Sequence, residues 1–185
     1  MSLRIYGNRA LKTLPGQTTR PTLARVREAV FNIWQGAIAD CAWLDLCAGT
    51  GSMGAEALVR GARQVVGIEQ SKQACAVIRQ NWTNLAAEDQ HCQILRGDVV
   101  QKLKVLAGSQ FDRIYFDPPY ASDLYDPVLL AIAQLHLLAP GGELAVEHDQ
   151  THAPSTWTAV AEAHLRVCRH KHYGKTQLTF LCMPD

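Results

Sequence analysis

The stretch "AWLDLCAGTGSMGAEALVRGA", Ala42–Ala62, decides the fold of this chain. It begins as a buried strand, continues through a glycine-rich loop and ends as a helix. The same order repeats downstream, because a helical segment precedes each of the strand-like runs "QVVGIE", "CQILRGD", "FDRIYF" and "GELAVEH". Strands that alternate with helices predict βαβ units and a mainly parallel, twisted sheet in an α/β fold.

The two ends of the chain depart from this alternation. Residues 1–20 mix short β-like runs with glycine and proline, which predicts a small hairpin or arm outside the main core. The segment "PTLARVREAVFNIW" follows, with apolar residues at helical spacing. At the other end, a β-like run over 165–173, a turn at Gly174 and the strand "TQLTFLC" predict a hairpin. Since the strands of a tight hairpin are antiparallel, one end strand must run against the others.

Length and composition indicate one main domain. The chain has 185 residues, of which 48% are hydrophobic, and this is enough to bury a core of its own. We expect a basic N-terminal arm over 1–21 and the main domain over 22–185. The longest apolar run, "VLLAIAQLHLLA", is short for a membrane span, and the first residues do not resemble a signal peptide. We therefore expect no membrane association and a cytoplasmic protein.

The cysteines and histidines do not predict a metal site. The six cysteines are scattered without a CxxC pair, so we expect reduced thiols rather than a zinc or disulfide framework. His148 and His152 have the i, i+4 spacing of some metal ligands, but they straddle a strand end rather than lie on a helix. Surface or supporting roles are the prediction for both, with no bound metal.

The net charge of +1 conceals an uneven distribution. Residues 1–30 hold six lysines and arginines and a single acid. Residues 164–175, "HLRVCRHKHYGK", hold four lysines and arginines, three histidines and no acid. Basic ends on a nearly neutral chain suggest a polyanionic partner that the termini contact, with solvated basic faces as the alternative.

The glycine loop and the acids that end successive strands predict a nucleoside-containing cofactor. The loop matches GxGxxG, and Glu69 ends the next strand 20 residues after Gly49, a pattern that alone is equally consistent with a dinucleotide site. However, Asp45 lies inside the strand before the loop, and Asp98 ends the third strand. A series of acids suits a ligand with an ammonium group, a ribose and an adenine, and would repel a pyrophosphate. S-adenosylmethionine has these groups.

The stretch "FDRIYFDPPYAS" ends a buried strand abruptly in Asp117-Pro118-Pro119-Tyr120. Prolines cannot continue the ladder, so they fix the exit of the chain from the sheet. The Asp117 carboxylate and the Pro118 carbonyl can accept the two hydrogens of an exocyclic base amine, which localises its lone pair on nitrogen. Tyr120 can stack on an extruded base. This combination predicts methyl transfer to a base amine, with catalysis by positioning and preorganised electrostatics.

Taken in order, "DLCAGTGSMGAEALVRGA", "GIEQS", "GDV" and "FDPPY" resemble class I methyltransferases that act on exocyclic amines. The upstream "RPTLARVREAVFNIW" and the closing "YGKTQLTFL" narrow this resemblance to the bacterial 16S rRNA (guanine-966-N2)-methyltransferase family. It covers nearly the whole chain. The resemblance implies a Rossmann-like sheet of seven mostly parallel strands with one reversed, helices on both faces and a small N-terminal hairpin. It also implies 16S rRNA as substrate, in the small subunit or an assembly intermediate.

Three sets of site residues follow. We expect the cofactor S-adenosyl-L-methionine to be bound by Asp45, Cys47, Ala48, Gly49, Thr50, Gly51, Glu69, Gln70, Asp98 and Val99. We expect the base to be handled by Asp117, Pro118, Pro119 and Tyr120. We expect RNA to be contacted by Arg4, Arg9, Lys12, Arg20, Arg25 and Arg27, with the arm folded beside the DPPY turn. The protein is expected to be a monomer.

Other functions remain open at the level of sequence. An adenine-N6 methyltransferase of RNA or DNA is the main alternative, because the DPPY turn does not identify the base by itself. The chain lacks a separate target-recognition domain, which weighs against a DNA enzyme. An NAD-dependent oxidoreductase would explain the glycine loop but neither Asp45 nor the DPPY turn. A non-catalytic RNA-binding protein would not need the intact catalytic motif.

Overall fold

The structure, a computed structural model, describes residues 3–14 and 21–183. The strands within them are β1 (Leu3–Ile5), β2 (Arg9–Leu11), β3 (Ala42–Leu46), β4 (Gln64–Glu69), β5 (His91–Arg96), β6 (Phe111–Phe116), β7 (Leu138–His148), β8 (Arg166–Tyr173) and β9 (Thr176–Cys182). The α-helices are α1 (Pro21–Ile33), α2 (Ser52–Val59), α3 (Lys72–Leu85), α4 (Val99–Val105), α5 (Tyr125–Gln134) and α6 (Thr158–Glu162). Single turns of 3-10 helix lie at Tyr6–Asn8 and Pro154–Thr156.

Seven strands form the main sheet, in the order β5-β4-β3-β6-β7-β9-β8. Neighbouring strands from β5 to β7 are parallel, whereas β9 is antiparallel to both β7 and β8. The structure therefore confirms the predicted α/β fold, with a mostly parallel sheet and one reversed strand. The carboxyl ends of the parallel strands open along one side of the sheet, which we call the carboxyl edge. Ligands of such sheets bind there.

Helices cover both faces of the sheet, as predicted. Helices α1, α2 and α3 pack on one face, where the Phe31 and Trp43 rings stack with their centroids 5.2 Å apart. Helices α4, α5 and α6 pack on the other. All five residues of β3 are buried, because a strand in the middle of such a sandwich has no solvent-facing side. No helix in the described segments is both long and apolar enough to cross a membrane.

The small N-terminal hairpin is formed by β1 and β2. It is anchored by the buried side chains of Ile5 and Leu11 and by two hydrogen bonds between the Lys12 backbone and the Asn81 amide in α3. The Tyr6 ring lies 4.3 Å from the guanidinium carbon of Arg60, at the C-terminal end of α2. Since α2 begins at the carboxyl edge and is ~12 Å long at 1.5 Å per residue, the hairpin lies away from that edge. The prediction that the arm folds beside the DPPY turn is wrong for its hairpin, residues 3–11, while residues 15–20 of the arm lie outside the described residues.

Two of the six cysteines are not free. Cys168 on β8 and Cys182 on β9 form a disulfide across adjacent antiparallel strands, with their Cα atoms 6.3 Å apart. The prediction of reduced thiols throughout is wrong for this pair. The two cysteines are 14 positions apart in the sequence, and the C-terminal hairpin brings them together. The thiols of Cys41, Cys47, Cys75 and Cys92 are free.

Candidate active site

Two clefts open at the carboxyl edge and meet at the DPPY turn. The first, which we call the glycine-loop cleft, has a volume of about 410 Å³, within the range of small-molecule sites. Six of the predicted cofactor residues line it, namely Cys47, Gly49, Glu69, Gln70, Asp98 and Val99. Asp45, Ala48, Thr50 and Gly51 are not among its lining residues. The glycine loop therefore forms the wall of this cleft with only part of its length.

Glu69 holds the loop in place. Its Oε2 accepts a hydrogen bond from the Gly49 backbone N–H at 2.8 Å, and its Oε1 accepts one from the Ser71 N–H at 2.7 Å. Each carboxylate oxygen has two lone pairs, so each can accept a further hydrogen bond from a ligand in the cleft. An acid in this position is suited to the two hydroxyls of a ribose.

Asp45 lies beneath the loop rather than in the cleft wall. Only 2% of the residue is exposed, and its Oδ2 accepts a hydrogen bond from the Gly54 N–H at 3.0 Å. Burial raises the pKa of this carboxyl to about 8, and the nearby charge of Glu69 acts in the same direction, whereas the Gly54 hydrogen bond lowers it. A buried carboxyl of this kind favours a cationic group nearby.

Two of the three motif glycines are required by packing against α3. A Cβ atom on Gly54 would lie 2.3 Å from the Trp82 ring, and one on Gly51 would lie 2.7 Å from Ile78. The Trp82 Nε1–H also donates a 2.8 Å hydrogen bond to the Gly51 carbonyl. These glycines let α3 approach the loop closely. Gly49 is the glycine that borders the cleft.

Asp98 has two roles in the structure. Its Oδ1 caps α4 by accepting a hydrogen bond from the Gln101 N–H at 2.9 Å. Asp98 also lines the glycine-loop cleft. The cap uses one oxygen, which leaves the other for a ligand.

The second cleft, which we call the Tyr120 cleft, has a volume of about 610 Å³. The residues that line this cleft but not the glycine-loop cleft are Arg25, Tyr120, Glu147, Tyr173, Gly174, Lys175 and Thr176. It shares Asp117, Pro118 and Pro119 with the glycine-loop cleft. The DPPY turn therefore borders both clefts, and Asp117 lies in the lining of each.

Glu147 is a candidate site residue that sequence reasoning missed. It is the last residue but one of β7 and accepts hydrogen bonds from the hydroxyls of Tyr115 and Tyr120, the second at 2.7 Å. The Tyr120 hydroxyl also lies 3.0 Å from Thr176 Oγ1. A signal was present, because "GELAVEH" has Glu147 next to its last residue, and each of the other parallel strands from β3 to β6 also has an acid within two residues of its carboxyl end.

The acids of this region affect each other. Burial raises the pKa of Asp117 well above its usual range, and the negative charges of Glu147 and Asp45 raise it further. Burial also raises the pKa of Glu147, while the hydrogen bonds from Tyr115 and Tyr120 lower it. A cation placed between the clefts would favour the ionised form of both.

The predicted RNA contacts are divided by the structure. Arg25 is exposed and lines the Tyr120 cleft, and Lys175 lies across from it on the C-terminal hairpin. Arg27 is only 5% exposed and forms a 2.6 Å ion pair with Glu56, so the prediction that it contacts RNA is wrong. Its helical position turns it towards α2, which periodicity alone did not reveal.

The remaining predicted cations lie elsewhere. Arg4 and Arg9 are exposed on the hairpin, where the Arg4 guanidinium donates to the Asn8 carbonyl at 2.8 Å, and Lys12 is exposed next to it. All three are on the part of the molecule that the hairpin occupies, away from the Tyr120 cleft. Arg20 lies outside the described residues.

The histidines near the end of β7 do not form a ligand cluster. His152 Nδ1 lies 2.8 Å from an Asp149 oxygen, while His148 is fully buried beside Trp157 and 2.9 Å from Thr179 Oγ1. Of the surface and supporting roles that were predicted, His148 therefore has the supporting one. The described part of the chain contains no group of three or more potential ligands that could hold a metal.

Comparison with known proteins identifies the family. Residues 3–182 match the family described as conserved hypothetical protein 95. The chain belongs to this family. It is 32% identical over 144 residues to YlbH of Bacillus subtilis, which covers 77% of this chain and 78% of that protein. It is 27% identical over 173 residues to the ribosomal RNA small subunit methyltransferase D of Haemophilus influenzae, which covers 91% of this chain and 90% of that protein.

A solved structure agrees with this assignment. The protein yhhF from Escherichia coli superposes with a TM-score of 0.82 at 26% identity, covering 98% of this chain and 97% of that one. The chain described here is therefore a class I S-adenosylmethionine-dependent methyltransferase, as predicted.

The residues of the glycine-loop cleft fit this cofactor. Glu69, Asp98 and Asp117 line it, with Asp45 beneath, and these acids suit the positive charges of S-adenosylmethionine. The described residues that line it include no lysine or arginine, so these carboxylates would repel a pyrophosphate with no cation to offset them. The alternative activity, that of an NAD-dependent oxidoreductase, is therefore excluded by the family to which the chain belongs and by the negative charge of the cleft.

Proposed function

We propose that this protein transfers a methyl group from S-adenosylmethionine to the exocyclic N2 amine of a guanine in 16S rRNA. One observation carries the proposal: the glycine-loop cleft and the Tyr120 cleft share Asp117, Pro118 and Pro119. A bound cofactor supplies an electrophilic methyl group on one side of this wall, and the wall presents acceptors to an amine on the other. The name of the Haemophilus influenzae relative supports small-subunit rRNA as the substrate.

Asp117 prepares the amine for attack. Its carboxylate accepts one amine hydrogen and the Pro118 carbonyl accepts the other, so the nitrogen lone pair points at the methyl carbon. Bound S-adenosylmethionine would supply the methyl carbon: as the N–C bond formed, the methyl–sulfur bond would break and its electron pair would stay on sulfur. The methylated nitrogen then carries one proton too many, and Asp117 can take it up because burial raises the pKa of this carboxyl.

Tyr120 holds the base. Its hydroxyl is bound by Glu147 at 2.7 Å and lies 3.0 Å from Thr176, so the ring is fixed at the mouth of the cleft. A base that leaves its helix stacks on such a ring and presents its edge to the acids behind it.

The cations at the rim of the Tyr120 cleft hold the RNA backbone. Arg25 and Lys175 line it, and Lys171 and Arg25 border the adjoining groove between α1 and β8. Positive groups at the rim complement phosphates while the acidic interior takes the base. We further propose that a monomer acts in the cytoplasm, on the small subunit or an assembly intermediate.

The test is methyl transfer to small ribosomal subunits purified from a strain that lacks the modification. Labelled S-adenosylmethionine is supplied, and the rRNA is digested to nucleosides. We expect label in N2-methylguanosine with the wild-type protein and none with Asp117→Asn, which keeps the shape of the side chain. Label in N6-methyladenosine would support the adenine alternative, and no label in rRNA would overturn the proposal.

A further inference from the structure

Glu147 is placed beside the acceptor of the reacting amine. Phe116 of β6 pairs with Val146 of β7 in a parallel register, so the next residues, Asp117 and Glu147, emerge side by side at the carboxyl edge. Glu147 is only 2% exposed, yet it lines the Tyr120 cleft. Two acids therefore face one base-sized space.

The surroundings of Glu147 leave it short of donors. The hydroxyls of Tyr115 and Tyr120 each donate to one of its oxygens. No lysine or arginine pairs with it in the described part of the chain. A buried carboxylate of this kind is stabilised by further donors, and each oxygen has a lone pair left for one.

The bases that carry an exocyclic amine differ at the neighbouring ring nitrogen. In guanine the ring nitrogen next to the amine, N1, bears a hydrogen and donates. In adenine and cytosine the corresponding nitrogen has a lone pair and accepts. A carboxylate beside Asp117 would bind the first and repel the others, as readers of a flipped base do along its Watson–Crick edge.

We propose that Glu147 selects guanine by accepting a hydrogen bond from its N1–H while Asp117 accepts from the N2 amine. The inference rests on the proposed function and adds the residue that sets base specificity to it. It also explains why Tyr115, which does not line the cleft, donates to Glu147 from behind: the hydroxyl turns the carboxylate towards the base.

The test compares guanine with 2-aminopurine at the target position of reconstituted small subunits. 2-Aminopurine keeps the 2-amine, but its N1 accepts instead of donating. We expect the wild type to prefer guanine by about 100-fold in kcat/KM, because a buried acceptor would lose its donor. Glu147→Gln should reduce this preference by roughly tenfold or more, since an amide N–H can donate to N1 of 2-aminopurine. Comparing the two enzymes cancels any intrinsic difference in reactivity between the bases.

Tyr115→Phe is the matched control. It removes one hydrogen bond to Glu147 without touching the base, and the carboxylate keeps its charge, its acceptors and the Tyr120 donor. It should therefore lower the guanine preference by less than Glu147→Gln does. An unchanged preference in Glu147→Gln, or a wild type that methylates both bases within about threefold, would overturn the inference. Failure of the wild type to methylate small subunits that carry guanine at the target position would instead overturn the proposed function.

Discussion

The two clefts are built by different kinds of hydrogen bond. In the glycine-loop cleft, the carboxylates of Glu69 and Asp98 accept hydrogen bonds from backbone N–H groups, either a few residues further along the chain or in the glycine loop. Asp45, beneath the loop, accepts from a backbone N–H in the same way. In the Tyr120 cleft, Glu147 accepts from two tyrosine side chains, and Tyr120 also lies against Thr176, 56 residues further along the chain. One cleft is fixed by the backbone, the other by a network of side chains.

This difference determines how each cleft responds to change. A carboxylate held by backbone donors keeps its orientation when its neighbours are substituted. In a side-chain network, the loss of one member leaves its partners without a donor or acceptor, so the effects of substitutions should not be additive. Binding of the cofactor should therefore tolerate changes in the Tyr120 cleft, whereas turnover should not.

The strongest test of the comparison is Asp117, which belongs to both clefts. Asp117→Ala should reduce kcat by about a hundredfold or more, because the acceptor of the amine is removed. Cofactor affinity should fall by a much smaller factor, since Asp117 is only one of the acids at that cleft and Glu69 and Asp98 are held by backbone donors. Single-turnover rates and calorimetry measure the two quantities. Near-wild-type turnover would show that the DPPY turn has another role.

A substitution confined to the glycine-loop cleft should have the opposite pattern. Glu69→Ala should weaken S-adenosylmethionine binding by about 1–3 kcal/mol, because the hydrogen bonds to a charged acceptor and the loop anchor both disappear. Calorimetry measures this directly, with Glu88→Ala on the exposed surface as the control. Unchanged affinity would mean that the acid only shapes the loop.

Asp45 permits a test by pH in the free protein. Its folded pKa of about 8 lies above the ordinary value of 3.8, so its contribution to stability is complete at low pH and is lost as pH rises towards 8. The free energy of unfolding should fall by roughly 1.4 kcal/mol per pH unit from this group alone. Asp45→Asn keeps an oxygen for the Gly54 N–H and should remove that slope. Urea unfolding between about pH 5 and pH 8 checks it, and identical slopes would contradict the assignment.

The smallest effect is expected at the rim. Arg25→Ala with Lys175→Ala should raise KM for small subunits and lower the salt slope of binding by about 2, because each phosphate that a cation neutralises adds about 1 to that slope. Cofactor affinity should not change. The control is Arg9→Ala with Lys12→Ala, which removes the same charge from the distant hairpin. If the hairpin variant changed the slope more, the RNA would follow another path.

The sequence was informative where partners are close along the chain. The glycine loop, Glu69 and the DPPY turn were predicted because each is a local pattern at a strand end. Glu147 was missed because its partners, Tyr115 and Tyr120, become neighbours only when β6 and β7 pair. Arg27 was misassigned for a similar reason: charge indicated RNA, but the Glu56 carboxylate that binds it lies on another helix.

The wall that the two clefts share makes their occupancies interdependent. A sulfonium beside Asp117 favours its carboxylate form, and that form is the one that accepts hydrogens from the amine. By thermodynamic linkage, base and cofactor must raise each other's affinity by the same factor. Methyl transfer removes the positive charge from sulfur, and with it this mutual support. The reaction itself would thus loosen the enzyme's hold on the methylated RNA, so that turnover and release are driven by the same change in charge.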